Sequence, residues 1–297
     1  MRPSSLFSES GIDVTDDAVL ETFNSIAIPA CPTVILRLVD AIREDATDLK
    51  TLAQLIATDV GLAASVLRLA NSPFFRLPSK ARTIHAAVSV LGLRNLVRIA
   101  YNVTLHQSLG RSNSAAMHRF WNRSAYKPIA AASLASLLAT KSVDNAYTFG
   151  LFCDAGIPVL MQRFANYKET LRLANRSVDC FTSAEDARHN INHALVGAML
   201  AWQWHLPSAV YRAIGHHHDV RIFDVDAPSD DDALIDLVAL GILADFIVSR
   251  FLATEHDAEW HRVAPLAIGR FGITYPQLEE LHQTILPELE DARQYRG

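Results

Sequence analysis

The chain has 297 residues, half of them hydrophobic, with 27 basic against 32 acidic side chains and a formal net charge of −5. A pI near 6.2 leaves no basic footprint, which argues against nucleic acid or an anionic membrane surface as the main partner. Cys31, Cys153 and Cys180 are three cysteines far apart; they make no disulfide framework and fit a reducing cytoplasm.

Glycine and proline, 12 of each, are unclustered, so no long linker divides the chain. Met1 to Asp13 lacks the apolar segment of a secretory signal. The most apolar stretch, Leu237 to Ala253, is interrupted by Asp245 and Arg250 and is too short to span a bilayer.

Residues 1–20 read as a polar tail. From Pro32, which suits a first helical position, Ile35, Leu38, Val39 and Ile42 repeat along one stripe. Asp48, Asp59 and Thr83 are placed to cap three further helices, and Gly92 allows a sharp turn before another apolar run. Residues 21–110 therefore read as an N-terminal helical lobe.

A second lobe is expected over 111–220. It opens with a helix from Trp121 to Leu138 that Pro128 must start or kink. The Cys153-Asp154 segment follows, then helices from Asn192 to Trp204, from Pro207 to His218 and from Asp232 to Arg250. An acidic loop spans Phe223 to Asp232, and Leu278, Leu281, Ile285 and Leu289 mark a last amphipathic helix. Residues 221–297 read as a C-terminal extension completing the second lobe. No strand run and no glycine-rich phosphate loop is visible, so the fold class is all-α.

Several residues bear on chemistry, each with two readings. Asp154 is a metal ligand or a buried carboxylate holding backbone N–H groups. His193 is a ligand or a helix-start residue behind an Asn192 cap. His217 and His218 continue the face of Val210, Ala213 and Ile214 and point inward, whereas His216 aligns with Ala209 and Arg212 and is expected in solvent. Asp245, a carboxylate in an apolar helix, needs a partner, and one of these histidines is the expected one. Cys153 is a small buried hydrophobe or a thiolate ligand. Neither Cys153 nor Cys180 has an oxyanion segment beside it to support nucleophilic catalysis. Lys80, Arg82, Arg94 and Arg98 form an anion-recognition patch or a solvated face. Phe74-Phe75 is a docking tip or a plug between lobes. Of Trp202 and Trp204, one belongs in the core and the other near a surface.

The run Phe149-Gly150-Leu151-Phe152-Cys153-Asp154-Ala155-Gly156 resembles the His-Asp signature of metal-dependent phosphohydrolases, with cysteine where the histidine would stand. In order along the chain come Ile28-Pro29-Ala30-Cys31-Pro32, Asp59-Val60-Gly61-Leu62, Asn71-Ser72-Pro73-Phe74-Phe75, Val90-Leu91-Gly92-Leu93, His193-Ala194-Leu195-Val196-Gly197, Trp204-His205-Leu206-Pro207, Ala213-Ile214-Gly215-His216-His217-His218 and Ala244-Asp245. From about Ile28 to His218 this succession resembles the HDOD family, the HD-related output domains of bacterial signalling proteins and degenerate relatives of the HD and HD-GYP phosphohydrolases.

The resemblance implies a two-lobed, all-α, cytoplasmic module that relays a signal without catalysis, by binding protein or a small ligand. The circuits implied are those of cyclic di-GMP, chemotaxis or motility, with GGDEF, EAL or chemotaxis components as partners; no such segment is visible in this chain. In the catalytic relatives an early histidine, the His-Asp pair, later histidines and a late aspartate converge on metal. Here the early position falls on Ser124, while Asp154, His193, His217, His218, Asp245 and Cys153 remain as metal candidates. No cofactor is the expectation; one divalent ion (Zn, Fe, Mn or Ni) is the alternative. Two other functions stay open: a metal-dependent phosphohydrolase with an incomplete site, and an assembly scaffold.

Overall fold

In the computed structural model the described residues are 21–22, 25–43, 48–71, 80–110, 114–140, 143–178, 180–224, 232–254 and 258–294, and every regular element among them is helical. The chain divides into two compact units, one of residues 30–112 and 287–297, the other of 1–29 and 113–286.

In the first unit α1 (Thr33–Arg43), α2 (Leu49–Ala57) and α3 (Val60–Ala70) each pack on α4 (Ile84–Leu109). The expected caps form. The Lys50 N–H donates to Asp48 at 3.1 Å, the Leu62 N–H to Asp59 at 2.9 Å and the Ala86 N–H to Thr83 at 3.1 Å; each satisfies a backbone donor that the first helical turn leaves unpaired. Ile35, Leu38, Leu52, Ile56, Leu62, Val66 and Leu96 are fully or almost fully buried. Gly92, at φ 67°, bends α4 into two arms, a conformation that costs glycine little.

The second unit carries the chemistry-bearing residues. The expected helix from Trp121 to Leu138 is two helices, α5 (Ala115–Ser124) and α6 (Lys127–Leu137). The chain turns at Ala125-Tyr126 and restarts with Pro128 in the first turn of α6, where its missing N–H breaks no helical bond. This restart leaves Lys127 at the head of α6 with its residue 3% exposed.

Two close backbone approaches then set the relation of the helices around Cys153-Asp154. Gly150, in α7 (Val143–Phe152), lies against α6: a Cβ there would stand 2.9 Å from Pro128 Cα and 3.0 Å from the Lys127 carbonyl. Gly156 opens α8 (Gly156–Arg163) against α11 (His193–Gln203), and a Cβ there would collide with the His193 carbonyl. Between them run α9 (Tyr167–Ala174) and α10 (Ser183–His189), which pack on each other. Next come α12 (Ser208–His216), a 3-10 turn (Val220–Phe223), α13 (Asp232–Phe251), α14 (Trp260–Arg270) and α15 (Tyr275–Gln294). The long apolar α13 packs on α6, α7, α12 and α14. Trp204 is fully buried and Trp202 half-buried, the split its helix spacing implies.

Residues 21–29, read from sequence as part of the first lobe, group with the second unit. The Trp204 indole donates to the Pro29 carbonyl at 2.9 Å, and Arg163 reaches Ser25 Oγ at 3.4 Å. Residues 287–297, read as completing the second lobe, group with the first unit. Among the described residues no helix is long and apolar enough to cross a membrane.

Because the group in the way at Gly156 is backbone and not a flexible side-chain end, Gly156→Ala is expected to lower stability by about 2–3 kcal/mol. Urea denaturation monitored by circular dichroism measures this, with Gly269→Ala, where a Cβ meets nothing within 4 Å, as the comparison.

Candidate functional site

Asp154 sits in the short turn between α7 and α8, next to the fully buried Cys153. Its two oxygens face different charges. Lys127 Nζ donates to Oδ2 at 2.8 Å, while Oδ1 lies 3.8 Å from His193 Nε2 and 3.7 Å from His217 Nε2. The same ammonium reaches Asp245 Oδ2 at 2.9 Å, and the other Asp245 oxygen accepts from Arg123 Nη2 at 2.9 Å. Arg123 is held in turn by Ser249 Oγ, 2.9 Å from its Nη1.

Asp245 thus has cationic partners, not the histidine expected for it. Burial opposes the charge on Lys127, but Asp154 and Asp245 more than offset it and its pKa stands well above the usual lysine value. Burial likewise raises Asp154, yet Lys127 and then His217 pull its carboxyl well below the carboxylate range.

Cys153 does not behave as a thiolate. Burial, reinforced by the Asp154 charge, pushes its pKa well above the ordinary thiol value. Its S–H donates weakly to Asp154 Oδ2 at 3.4 Å and to the Gly150 carbonyl at 3.8 Å. The reading that survives is the small buried hydrophobe.

The three imidazoles come from two places. His193 begins α11, whose Asn192 cap accepts from the Leu195 N–H at 2.9 Å. His217 and His218 follow the end of α12. His193 Nε2 lies 3.2 Å from both His217 Nε2 and His218 Nε2, and the three donor atoms fall within 4.8 Å of one another, a spacing one ion can bridge. His216 stands aside, half-buried and 3.8 Å from Asp219, where full solvation was expected.

Each ring is fixed from behind. Glu185, fully buried in α10, takes His193 Nδ1 at 2.7 Å and the His193 N–H at 3.1 Å, and the Tyr167 hydroxyl donates to its other oxygen. Burial favours the neutral acid, but His193 and Tyr167 keep the Glu185 pKa below its ordinary value. His217 Nδ1 lies 2.6 Å from the Ile214 carbonyl. His218 Nδ1 lies 2.7 Å from Glu259, which is gripped by Arg262, and the Phe181 ring stacks on it with centroids 5.1 Å apart. Burial, with His217 and His193 close by, holds the His218 pKa well below the usual imidazole value.

The HDOD domain model matches residues 28–220, well over half of the chain. The chain belongs to the HDOD family. It is 28% identical over 215 residues to an uncharacterized protein of Treponema pallidum (strain Nichols), an alignment covering 71% of this chain and 41% of that protein. The HDOD chain thus spans less than half the length of that relative. Its fold is also that of a Shewanella amazonensis SB2B protein provisionally described as a phosphohydrolase, with TM-score 0.71, 20% identity, and 95% and 97% of the two chains covered. A Marinobacter aquaeolei VT8 protein provisionally described in signal transduction matches with TM-score 0.68 and 20% identity, over 98% of this HDOD chain and 64% of that one.

Sequence reading missed four residues of this site: Lys127, Arg123, Glu185 and Glu259. It named Ser124 at the early-histidine position. Ser124 is buried, and Lys127, one turn further on, is the side chain that reaches the carboxylates. The signal available was a lysine directly before a helix-starting proline in an apolar segment. Lys80, Arg82 and Arg94 are exposed and Arg98 half-buried, all in the other unit. Phe74 and Phe75 lie outside the described residues.

Lys127→Met would leave both carboxylates without their shared counter-ion. Because Asp154 and Asp245 are themselves partly exposed, the expected loss in chemical denaturation is about 2–3 kcal/mol, below the 3–5 kcal/mol typical of a fully buried pair.

Proposed function

We propose that this HDOD chain is a regulatory module that acts by binding a protein or small ligand and does not hydrolyse phosphate esters. The observation that carries the reading is the Lys127 ammonium, 2.8 Å from Asp154 and 2.9 Å from Asp245. Water activation in metal phosphohydrolases needs carboxylates free to hold ions. Here one lysine bonds both, and with Arg123 on Asp245 the two negative charges are matched by two positive ones. The early imidazole is a serine and the imidazole of the His-Asp pair is a neutral thiol.

A signalling role in cyclic di-GMP, chemotaxis or motility circuits, with GGDEF, EAL or chemotaxis proteins as partners, is what the family resemblance supports. Binding fits the site's physics: a rigidly hydrogen-bonded polar cluster on a helical scaffold is already organised for a ligand. In a signalling protein such a cluster shifts a population when the ligand prefers one state.

A metal-dependent phosphohydrolase is the second reading, favoured by the convergence of His193, His217 and His218. A divalent ion held by these imidazoles with Asp154 would supply Lewis-acid polarisation of a phosphoryl oxygen.

The test is turnover of bis(p-nitrophenyl) phosphate, cyclic di-GMP and nucleoside monophosphates with Zn2+, Mn2+ or Fe2+ added. The expected rate equals that of Asp154→Ala for every substrate. Turnover that Asp154→Ala abolishes overturns the regulatory reading and establishes the enzyme.

A further inference from the structure

The outer face of α9 is cationic in an acidic chain. Residues 163–178 carry Arg163, Lys168, Arg172 and Arg176 against one carboxylate, Glu169, whereas the whole chain has a net charge of −5. Lys168 and Arg172, four residues apart, share one helical face, and Arg176 follows in the turn that closes the helix; all three are exposed. Among the described residues none of the three meets a carboxylate. Glu169 turns instead to Arg188 of α10, at 3.7 Å. Elsewhere in the same unit Arg221, Arg250, Arg262 and Arg270 each have a carboxylate partner.

Helix electrostatics do not account for the stripe. Cations at a helix C-terminus are favoured by the macrodipole, and Arg172 and Arg176 sit there, but Lys168 stands in the first turn, where a cation is disfavoured. Apolar side chains lie beside it as well. Leu173, next to Arg172, is 51% exposed, and Val178, two residues past Arg176, is 68% exposed. Apolar side chains with charged ones around them have the make-up of a protein interface, an apolar centre inside a polar rim. Three cations along roughly 12 Å of helix axis fall short of the polybasic footprint that nucleic acid or an anionic membrane requires, and the rest of an acidic chain repels both. The inner face of the same helix bears on the histidine cluster: Tyr167, fully buried, donates to Glu185, which holds His193 Nδ1 at 2.7 Å.

We propose that the outer face of α9 docks an acidic segment of a partner protein. Carboxylates about 6 Å apart meet Lys168, Arg172 and Arg176, the rise of four helical residues, and an apolar side chain between them covers Leu173 and Val178. The proposal rests on the regulatory reading and names the chemistry of its partner. The two fail separately. Phosphodiester turnover would end the regulatory reading without touching peptide binding, and an α9 indifferent to acidic peptide would remove the docking face and leave that reading.

The experiment is fluorescence anisotropy of a fluorescein-labelled amphipathic peptide, with glutamate at every fourth position and leucine between, titrated with the full-length protein. The expected result is saturable binding that weakens as salt rises and that a peptide with glutamine for glutamate lacks. Lys168→Glu, Arg172→Glu and Arg176→Glu together should weaken it about 10-fold or more, and Lys168→Gln alone, which relieves a cation in the first turn of α9, about 2-fold. The matched reversal Lys80→Glu, Arg82→Glu and Arg119→Glu, at exposed cations away from α9, makes the same change in net charge and should leave binding within about 2-fold. No saturable binding, an equal loss in the matched reversal, or tighter binding of single-stranded DNA or phosphatidylserine vesicles than of the peptide would overturn the proposal.

Discussion

The ammonium of Lys127 between Asp154 and Asp245 is the interaction on which the site depends. A lysine this buried is stable only with its charge matched, and two carboxylates this close are stable only with a cation between them. The three groups come from α6, the turn after α7, and α13, so the ion pair fixes three segments at one point. The same carboxylate then reaches the histidine cluster, which ties in α11 and the end of α12. Electrostatics and packing are coupled here: the close approach of Gly150 to Pro128 sets Lys127 beside Asp154, and that of Gly156 to the His193 carbonyl sets Asp154 beside the imidazoles.

An ammonium is a durable substitute for an ion. It cannot be chelated away, offers donors only, and has no open coordination position for water. Here it supplies charge balance to Asp154 and Asp245 without a coordination position of its own.

Much of the scaffold was legible in the chain. Asp48, Asp59, Thr83 and Asn192 cap helices because a short acceptor before an apolar repeat has one local use, and Gly92 turns for an equally local reason. The histidine cluster was legible too, since the inward face of Val210, Ala213 and Ile214 leads on to His217 and His218, although the helix itself stops at His216. What escaped was non-local. Asp245 visibly needed a partner, but nothing within its own helix pointed to Lys127 or Arg123, well over a hundred residues away in sequence. Glu185 and Glu259 sit on polar segments, and only the tertiary fold buries them. The break between α5 and α6 was half visible, because Pro128 permits either a start or a kink and the decision rests on packing.

The central claim is that lysine holds a cation position in this site. A crystal structure of the protein soaked in zinc, with anomalous data on both sides of the zinc absorption edge, tests it most directly. The account predicts no anomalous peak between Asp154 and Asp245, with Lys127 Nζ still within hydrogen-bond distance of both. A peak between those two carboxylates, with the lysine displaced into solvent, would contradict it.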